Sequence, residues 1–564
     1  MKSSILAVIA VVTAALPVLA KDSLANLIQS GNRKAALEQI RAGADVNEAQ
    51  PDGTRPIHWA VYRVDYELME ALLAKKAKVN VTNEFGSTPL AEAAKLADAR
   101  MVKMLLDAGA EPEGANEDGQ TALMIAIKTG ELPIVEMLLK AGAKVNTIER
   151  LENQTPLMWA AAATRNASEM VKLLLAKGAN VKVRAQYSDW PSQITSEPRA
   201  QYRPTGGLNA LLYAARGGCL DCVEALIAAG ADVNVPTPEG VTAMMLALDN
   251  DHNELAKLLL DRGANPNVWD WWGRTALYIA VDRKAGGSSG GLRAGAPAAG
   301  GRGGRGGGAQ AARRGAGASV SSMDVINALL DAGVDPNSQL NMHRPSRGGN
   351  SGRFIENLRS TGCTPLLRAV EAADIEVARA LVAKGANPNI NTMGLTAFLV
   401  AAGVGPGNRG GTGLAAQGAV GGPTNVALMD LLLEHGADIN TQVTGTKTYS
   451  MRVSRAPSAN ENLSALHVAA QAGRLEIVRY LLDKGANPEI VDASGRKPID
   501  LVGTGGRGGA AQAAPAAAAP GVPAAPVAAT PPAAAPAGRG GPGGANGANA
   551  AEIRALLQTA ASKK

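Results

Sequence analysis

Two groupings of side chains in the 564-residue sequence are the ones that could do chemistry. The first is Cys219-Leu220-Asp221-Cys222. A thiol at a helix N-terminus loses its proton more readily, so a CxxC there can act as a thiol–disulfide couple. Cys222 falls on an apolar position of a helix and Cys219 at its start. That placement favours a core cysteine and a surface cysteine closed into a local disulfide in an oxidising compartment. No His follows Cys222, so the motif does not attach haem. Cys363 sits at a variable turn position and is expected to be a free thiol. The second grouping is Val268-Trp269-Asp270-Trp271-Trp272-Gly273, which holds three of the six tryptophans. It precedes the helix cap Thr275, so Trp269, Trp271 and Trp272 are expected on a hairpin that projects away from the helices. Exposed tryptophans are costly unless a partner covers them.

Little else is reactive. The sequence has no phosphate loop ending in Lys-Ser/Thr, no GxSxG, no HExxH and no paired carboxylates. Three cysteines exclude a disulfide scaffold or a multi-cysteine zinc protein, and five scattered histidines argue against a metal site. The reading is a non-catalytic chain with no cofactor.

The elements that must position these residues recur along the chain. Gly-Ala or a near variant marks positions 43, 76, 109, 142, 178, 230, 263, 333, 385, 436 and 485. The base period is 33, and longer intervals are 33 plus an insertion. A fixed period of this size signals a solenoid. Each period carries a Gly followed by Thr-Pro-Leu or Thr-Ala-Leu, as in Gly86 to Leu90 and Gly273 to Leu277. The hydroxyl caps a helix and Pro fits its first position. Thr, Ser or Asn fills this cap in nine of eleven repeats, with Arg55 and Lys497 as exceptions. A short Ala-rich helix follows. A second helix with apolar spacing (Ile134, Val135, Leu138, Leu139) then stops at a Gly in the left-handed cap position.

These residues resemble the ankyrin-repeat family. His58 and His467 stand where the family's T-P-L-H places its histidine. The resemblance implies an all-α solenoid of about 12 helix-turn-helix repeats with β-hairpin fingers, in which no repeat is stable alone. It also implies protein binding without catalysis, and names no particular partner.

The expected organisation is a signal peptide at 1–20, repeats over 21–284 and 321–502, and a C-terminal capping helix at 551–564. Lys2, the apolar run 5–16 and Val18-Leu19-Ala20 make the signal, so the chain is expected to be exported, periplasmic or secreted. No later run suits stable membrane insertion. Stretches 285–320, 403–423 and 503–550 are Gly/Ala/Pro-rich and expected to be disordered. The RGG-like run 301–306 resembles RNA-binding segments, but an exported protein meets little RNA, so no nucleic-acid partner is expected.

Three other insertions, 183–206, 338–361 and 441–463, differ in kind. They carry Tyr187, Trp190, Tyr202, Phe354 and Tyr449 among Arg184, Arg199, Arg203, Arg344, Arg347, Arg353, Arg452 and Arg455. Aromatic and Arg residues on long fingers suit a binding surface. The six insertions together carry a charge of +14 against +6 for the whole chain, which leaves the body near −8. That asymmetry suggests an acidic partner for the fingers, an anionic polysaccharide or an acidic protein; the alternative is that these arginines pair with the acidic body. The expected partner is a protein and the scaffold is expected to be a monomer. Two alternatives of another class stay open: a redox or hydrolytic enzyme using the finger loops, and a carbohydrate-binding module using exposed Trp.

Overall fold

The computed structural model describes residues 22–188, 205–286, 320–340, 362–392, 394–404, 424–444, 461–504 and 545–563. Their contacts fall into two compact units. One comprises Met1–Gln186 with Gly207–Ala231, the other Tyr187–Gly206 with Asp232–Lys564. The fold is all helical apart from a two-residue strand pair and isolated bridges. Among the described residues, each unit holds six helix pairs.

In the N-terminal unit the first helices are Leu24–Gln29, Pro56–Tyr62, Pro89–Lys95, Ala122–Thr129, Pro156–Ala161 and Ala210–Gly217. Each packs on its neighbour and on its own second helix. Ala60, Ala93, Ala126, Ala160 and Ala214 are buried where first helices meet, because a methyl group allows close approach. Second helices bury Leu72, Leu105, Leu138, Leu174 and Leu226. Fully burying each such leucine contributes about 2 kcal/mol, and only neighbouring repeats can cover it.

The cap chemistry holds wherever Thr, Ser or Asn stands. Thr88 Oγ1 accepts from Ala91 N at 3.1 Å, and Asn209 Oδ1 from Leu212 N at 2.9 Å. Where the cap residue is Arg55 or Lys497, the bond runs the other way. The third helical residue accepts from the cap's own N–H: His58 Nδ1 from Arg55 at 3.1 Å, and Asp500 from Lys497 at 2.8 Å. That is the second half of a capping box, and it satisfies an end of the chain that a basic cap cannot serve.

In the C-terminal unit the first helices are Ala243–Asp249, Ala276–Lys284, Pro365–Glu371, Ala397–Ala401, Ala465–Gln471 and the short 3₁₀ turn Pro498–Leu501. Three of these pack on second helices far along the chain: Ala276–Lys284 on Ser322–Asp331, Ala397–Ala401 on Val426–Glu434, and Pro498–Leu501 on Ala545–Ser562. The last helix starts at Ala545, six residues ahead of the expected 551. Its opening Ala-Asn-Gly-Ala-Asn-Ala reads as linker by Gly and Asn content, yet the backbone there is helical.

An asparagine ladder stitches successive turns. Asn80 Oδ1 accepts from Glu111 N at 2.8 Å while its Nδ2 donates to Gly109 O at 3.1 Å. Asn146, Asn234, Asn337 and Asn389 repeat both bonds in their own repeats. The accepted amide lies 31 to 34 residues ahead where the chain is uninterrupted, and 49 or 50 ahead for Asn337 and Asn389, where it is not.

Candidate partner-binding surfaces

The tryptophan hairpin is built around one carboxylate. Asp270 Oδ1 accepts from Trp272 N at 3.0 Å and Arg274 N at 2.9 Å, and its Oδ2 from Arg274 Nε at 2.7 Å. The two terminal nitrogens of Arg274 then donate to both oxygens of Asp249, each at 3.0 Å. Arg274, Asp249 and Asp270 are all buried. Burial works against the Arg274 charge, but the two carboxylates more than offset it and hold its pKa above the ordinary value. The three groups carry a net negative charge, and burial lifts the Asp270 carboxyl above its usual range. Such a cluster is a weak source of stability and a strict specification of geometry. The preceding turn lies against it: Trp271 N donates to Glu239 O at 2.7 Å. Gly240, at φ +84°, has no room for a Cβ, which would meet Trp269 O at 2.8 Å.

This geometry separates the three tryptophans. Trp269 is 65% exposed and Trp271 half-buried. Trp272 is only 6% exposed, which corrects the expectation that all three project to solvent. The Arg274 guanidinium lies 5.3 Å from the centre of its ring. The equivalent residue one unit away, Phe85, has Ser87 in place of Arg274 and is 63% exposed. The Asp-x-x-x-Arg clamp recurs once more, at Asp492 and Arg496, with Arg496 Nε on Asp492 Oδ2 at 2.8 Å.

Of the finger residues, Arg184 and Tyr187 are described. Tyr187–Ser188 pairs antiparallel with Thr205–Gly206, so the first finger does start as a two-stranded ribbon. Tyr187 is 53% exposed. Arg184 is half-buried and donates from Nε to Gly207 O at 2.9 Å, which ties down the finger's base. Trp190, Arg199, Tyr202, Arg203, Arg344, Arg347, Arg353, Phe354, Tyr449, Arg452 and Arg455 lie outside the described residues.

Cys219 and Cys222 are joined as a disulfide at the start of helix Leu220–Ala228. Cys219 Sγ also accepts from Cys222 N at 3.3 Å, standing in for the usual hydroxyl cap. Cys363 is a free, fully buried thiol, and burial pushes its pKa up to about 12, far from thiolate reactivity. Among the described residues no cluster of His, Cys, Asp and Glu could hold a metal ion, and no helix is long and apolar enough to cross a membrane.

A further surface comes from two columns of the repeat. Four residues after the cap, the N-terminal unit places Trp59, Glu92, Ile125, Trp159 and Tyr213, all half-buried. Seven after the cap stand Tyr62, Lys95, Lys128, Ala162 and Arg216. One helical turn separates the columns, so they share a face. Trp59 and Tyr62 meet edge to face with ring centres 5.7 Å apart. Lys95 Nζ is 3.6 Å from Glu92. Lys128 Nζ reaches across to the next repeat, 5.6 Å from the centre of the Trp159 ring, and Arg216 lies 4.9 Å from that of Tyr213. Gln154 donates to Tyr213 OH at 2.8 Å and fixes the phenol. Reading the 33-residue period column by column would have found this row; reading motifs one repeat at a time misses it.

Stacked two-helix units linked by turns define a helical-repeat protein, a class that offers long surfaces rather than one enclosed pocket. The chain belongs to the ankyrin repeat family. The family's three-copy model matches residues 24–116, 99–185 and 211–288, and its single-repeat model matches 361–393 and 461–493, together more than half the chain. Ankyrin repeats are in general protein–protein interaction modules. The chain is 32% identical over 123 residues to the Caenorhabditis elegans "Ankyrin repeat and KH domain-containing protein mask-1", covering 22% of this chain and 4% of that one. It is 29% identical over 149 residues to the Mus musculus "B-cell lymphoma 3 protein homolog", covering 23% of this chain and 33% of that one. The chain thus spans at most a third of either relative. The human ASB11 ankyrin repeat domain aligns over 44% of this chain and all of its own at 25% identity, with a TM-score of 0.34.

Proposed function

We propose that this chain is an exported, non-catalytic scaffold that holds a protein partner on the first-helix face of its N-terminal unit and on its aromatic hairpins. The observation that carries it is the row Trp59, Trp159 and Tyr213. Large rings stand half-uncovered at a repeat position where the C-terminal unit has buried Leu246 and Ile279. Rigid aromatic side chains on a helical scaffold lose little entropy on binding, and they dominate interface energetics. Exposed Phe85, Tyr187 and Trp269 add to this on the turns. Export rests on the signal-like first twenty residues.

The test is affinity capture from an exported-protein fraction with the intact chain, W159A/Y213A and W269A. A partner retained by the intact chain and lost with W159A/Y213A supports the reading. Equal retention by all three overturns it. For export, the mature chain should begin near Lys21 and fractionate with periplasm or medium; an uncleaved cytoplasmic chain overturns that part.

A further inference from the structure

The N-terminal unit's first-helix face carries more information than aromatic exposure. Its cationic column, Lys95, Lys128 and Arg216, runs beside the aromatic and apolar column of Ile125, Trp159 and Tyr213. Lys95 and Lys128 are exposed. The N-terminal unit carries nearly balanced charge, so a column with three cations and no carboxylate stands apart from it. Opposite charge on a partner would be drawn to it and set in register by it.

We infer that this face takes an extended acidic peptide segment of a partner protein, with carboxylates at about every third residue and apolar side chains between them. The spacing follows from two lengths. Packed helices lie about 8–10 Å apart, and an extended chain advances about 3.3 Å per residue, so one repeat corresponds to about three residues. Carboxylates at that interval would meet Lys95 and Lys128 in successive repeats, and Arg216 two repeats beyond Lys128. The intervening apolar residues would lie on Ile125 and Trp159. Glu92 decides the partner class. It stands half-buried within the row and pairs with Lys95. A uniform polyanion such as a nucleic acid or sulfated polysaccharide would meet its charge head-on, whereas a peptide can place a neutral or basic residue there.

The inference rests on the protein-binding reading above, and the experiment separates the two. The intact chain and the charge-reversed K95E/K128E/R216E variant would each select from displayed random peptides of about twelve residues, enough to span about four repeats. The intact chain should enrich Asp and Glu at intervals of three, and the variant should enrich Lys and Arg. The best acidic peptide should bind the variant about tenfold or more weaker, and K128E alone should weaken it in the same direction. Circular dichroism and urea unfolding would check that the variants fold. Identical peptides from both proteins, no enrichment of acidic residues, or binding of heparin or polyuridylate as tight as the best peptide would each overturn the inference. If W159A/Y213A abolishes partner capture while charge reversal leaves it intact, the function stands and the acidic-peptide inference falls.

Discussion

The two units use the same two columns of the repeat for opposite purposes. In the N-terminal unit the column seven residues after the cap is basic or neutral and turned outward, beside half-exposed rings. In the C-terminal unit its first three members are Asp249, Asp282 and Glu371, followed by the uncharged Gly403, Gln471 and Thr504, and each carboxylate is met by a buried guanidinium. Arg368, 1% exposed, donates from Nε to Asp282 at 2.7 Å and from Nη1 to Glu371 at 3.1 Å. Lys284 Nζ reaches Asp374 at 2.6 Å. Backbone and period are common to both. What differs is that the charged side chains of this column are carboxylates met by buried guanidinium groups in the C-terminal unit and are exposed or half-buried cations in the N-terminal unit.

The largest way to break this contrast is to remove a buried cation. R274A leaves Asp249 and Asp270 buried without their counter-charge, and should cost about 3–5 kcal/mol in urea unfolding. K128A, which removes an exposed cation from a first helix of the N-terminal unit, should stay within about 0.5 kcal/mol. Equal costs would erase the distinction. Next is the disulfide of the N-terminal unit. C219S/C222S removes a four-residue closure, worth about 2 kcal/mol by chain entropy, and should lower the unfolding midpoint of that unit under non-reducing conditions.

Acidification should then weaken both units alike. His58 and His467 each accept a backbone N–H on Nδ1, from Arg55 at 3.1 Å and Ser464 at 3.2 Å. Each Nε2–H donates to a carbonyl of the next turn, Ser87 O at 3.3 Å and Arg496 O at 3.0 Å. Burial lowers both imidazole pKa values. A folded value below the unfolded one means that stability is complete above about pH 6.5 and falls as pH drops toward the folded value. Unfolding midpoints between about pH 7.5 and pH 5.5 would show it. The H58Q/H467Q double variant should lose most of the dependence in that window. The smallest effect is on the hairpin: W269A should change stability by no more than about 0.5 kcal/mol. W272A, three residues further on and buried, should cost about 3 kcal/mol or more.

Much of this was legible in the sequence. The 33-residue period, the Thr caps and the left-handed glycines are local signals, repeated often enough to fix the fold and the number of repeats. The fate of Trp272 was not. Position on a turn predicts exposure, as Phe85 bears out; burial came from a salt-bridged Arg274 whose second partner, Asp249, lies 25 residues back. The buried ion pairs escaped for the same reason: Arg368 and Asp282 are 86 residues apart, across an insertion. Arg184, read with the other finger arginines as a partner contact, also donates to Gly207 O at the finger's base, a backbone bond that residue type alone does not signal. The remaining finger positions lie outside the described residues.

The asparagine ladder has one more consequence. Each rung spans from one turn to the next in space and is indifferent to how much chain runs between them: 31 residues for Asn80, 50 for Asn337. Closing a longer loop costs only about 0.6 kcal/mol per doubling of its length. A scaffold stitched in this way can accept foreign sequence at its bends without renegotiating its own joints, so new appendages can be grafted, lengthened or exchanged while the masonry beneath them stays in register.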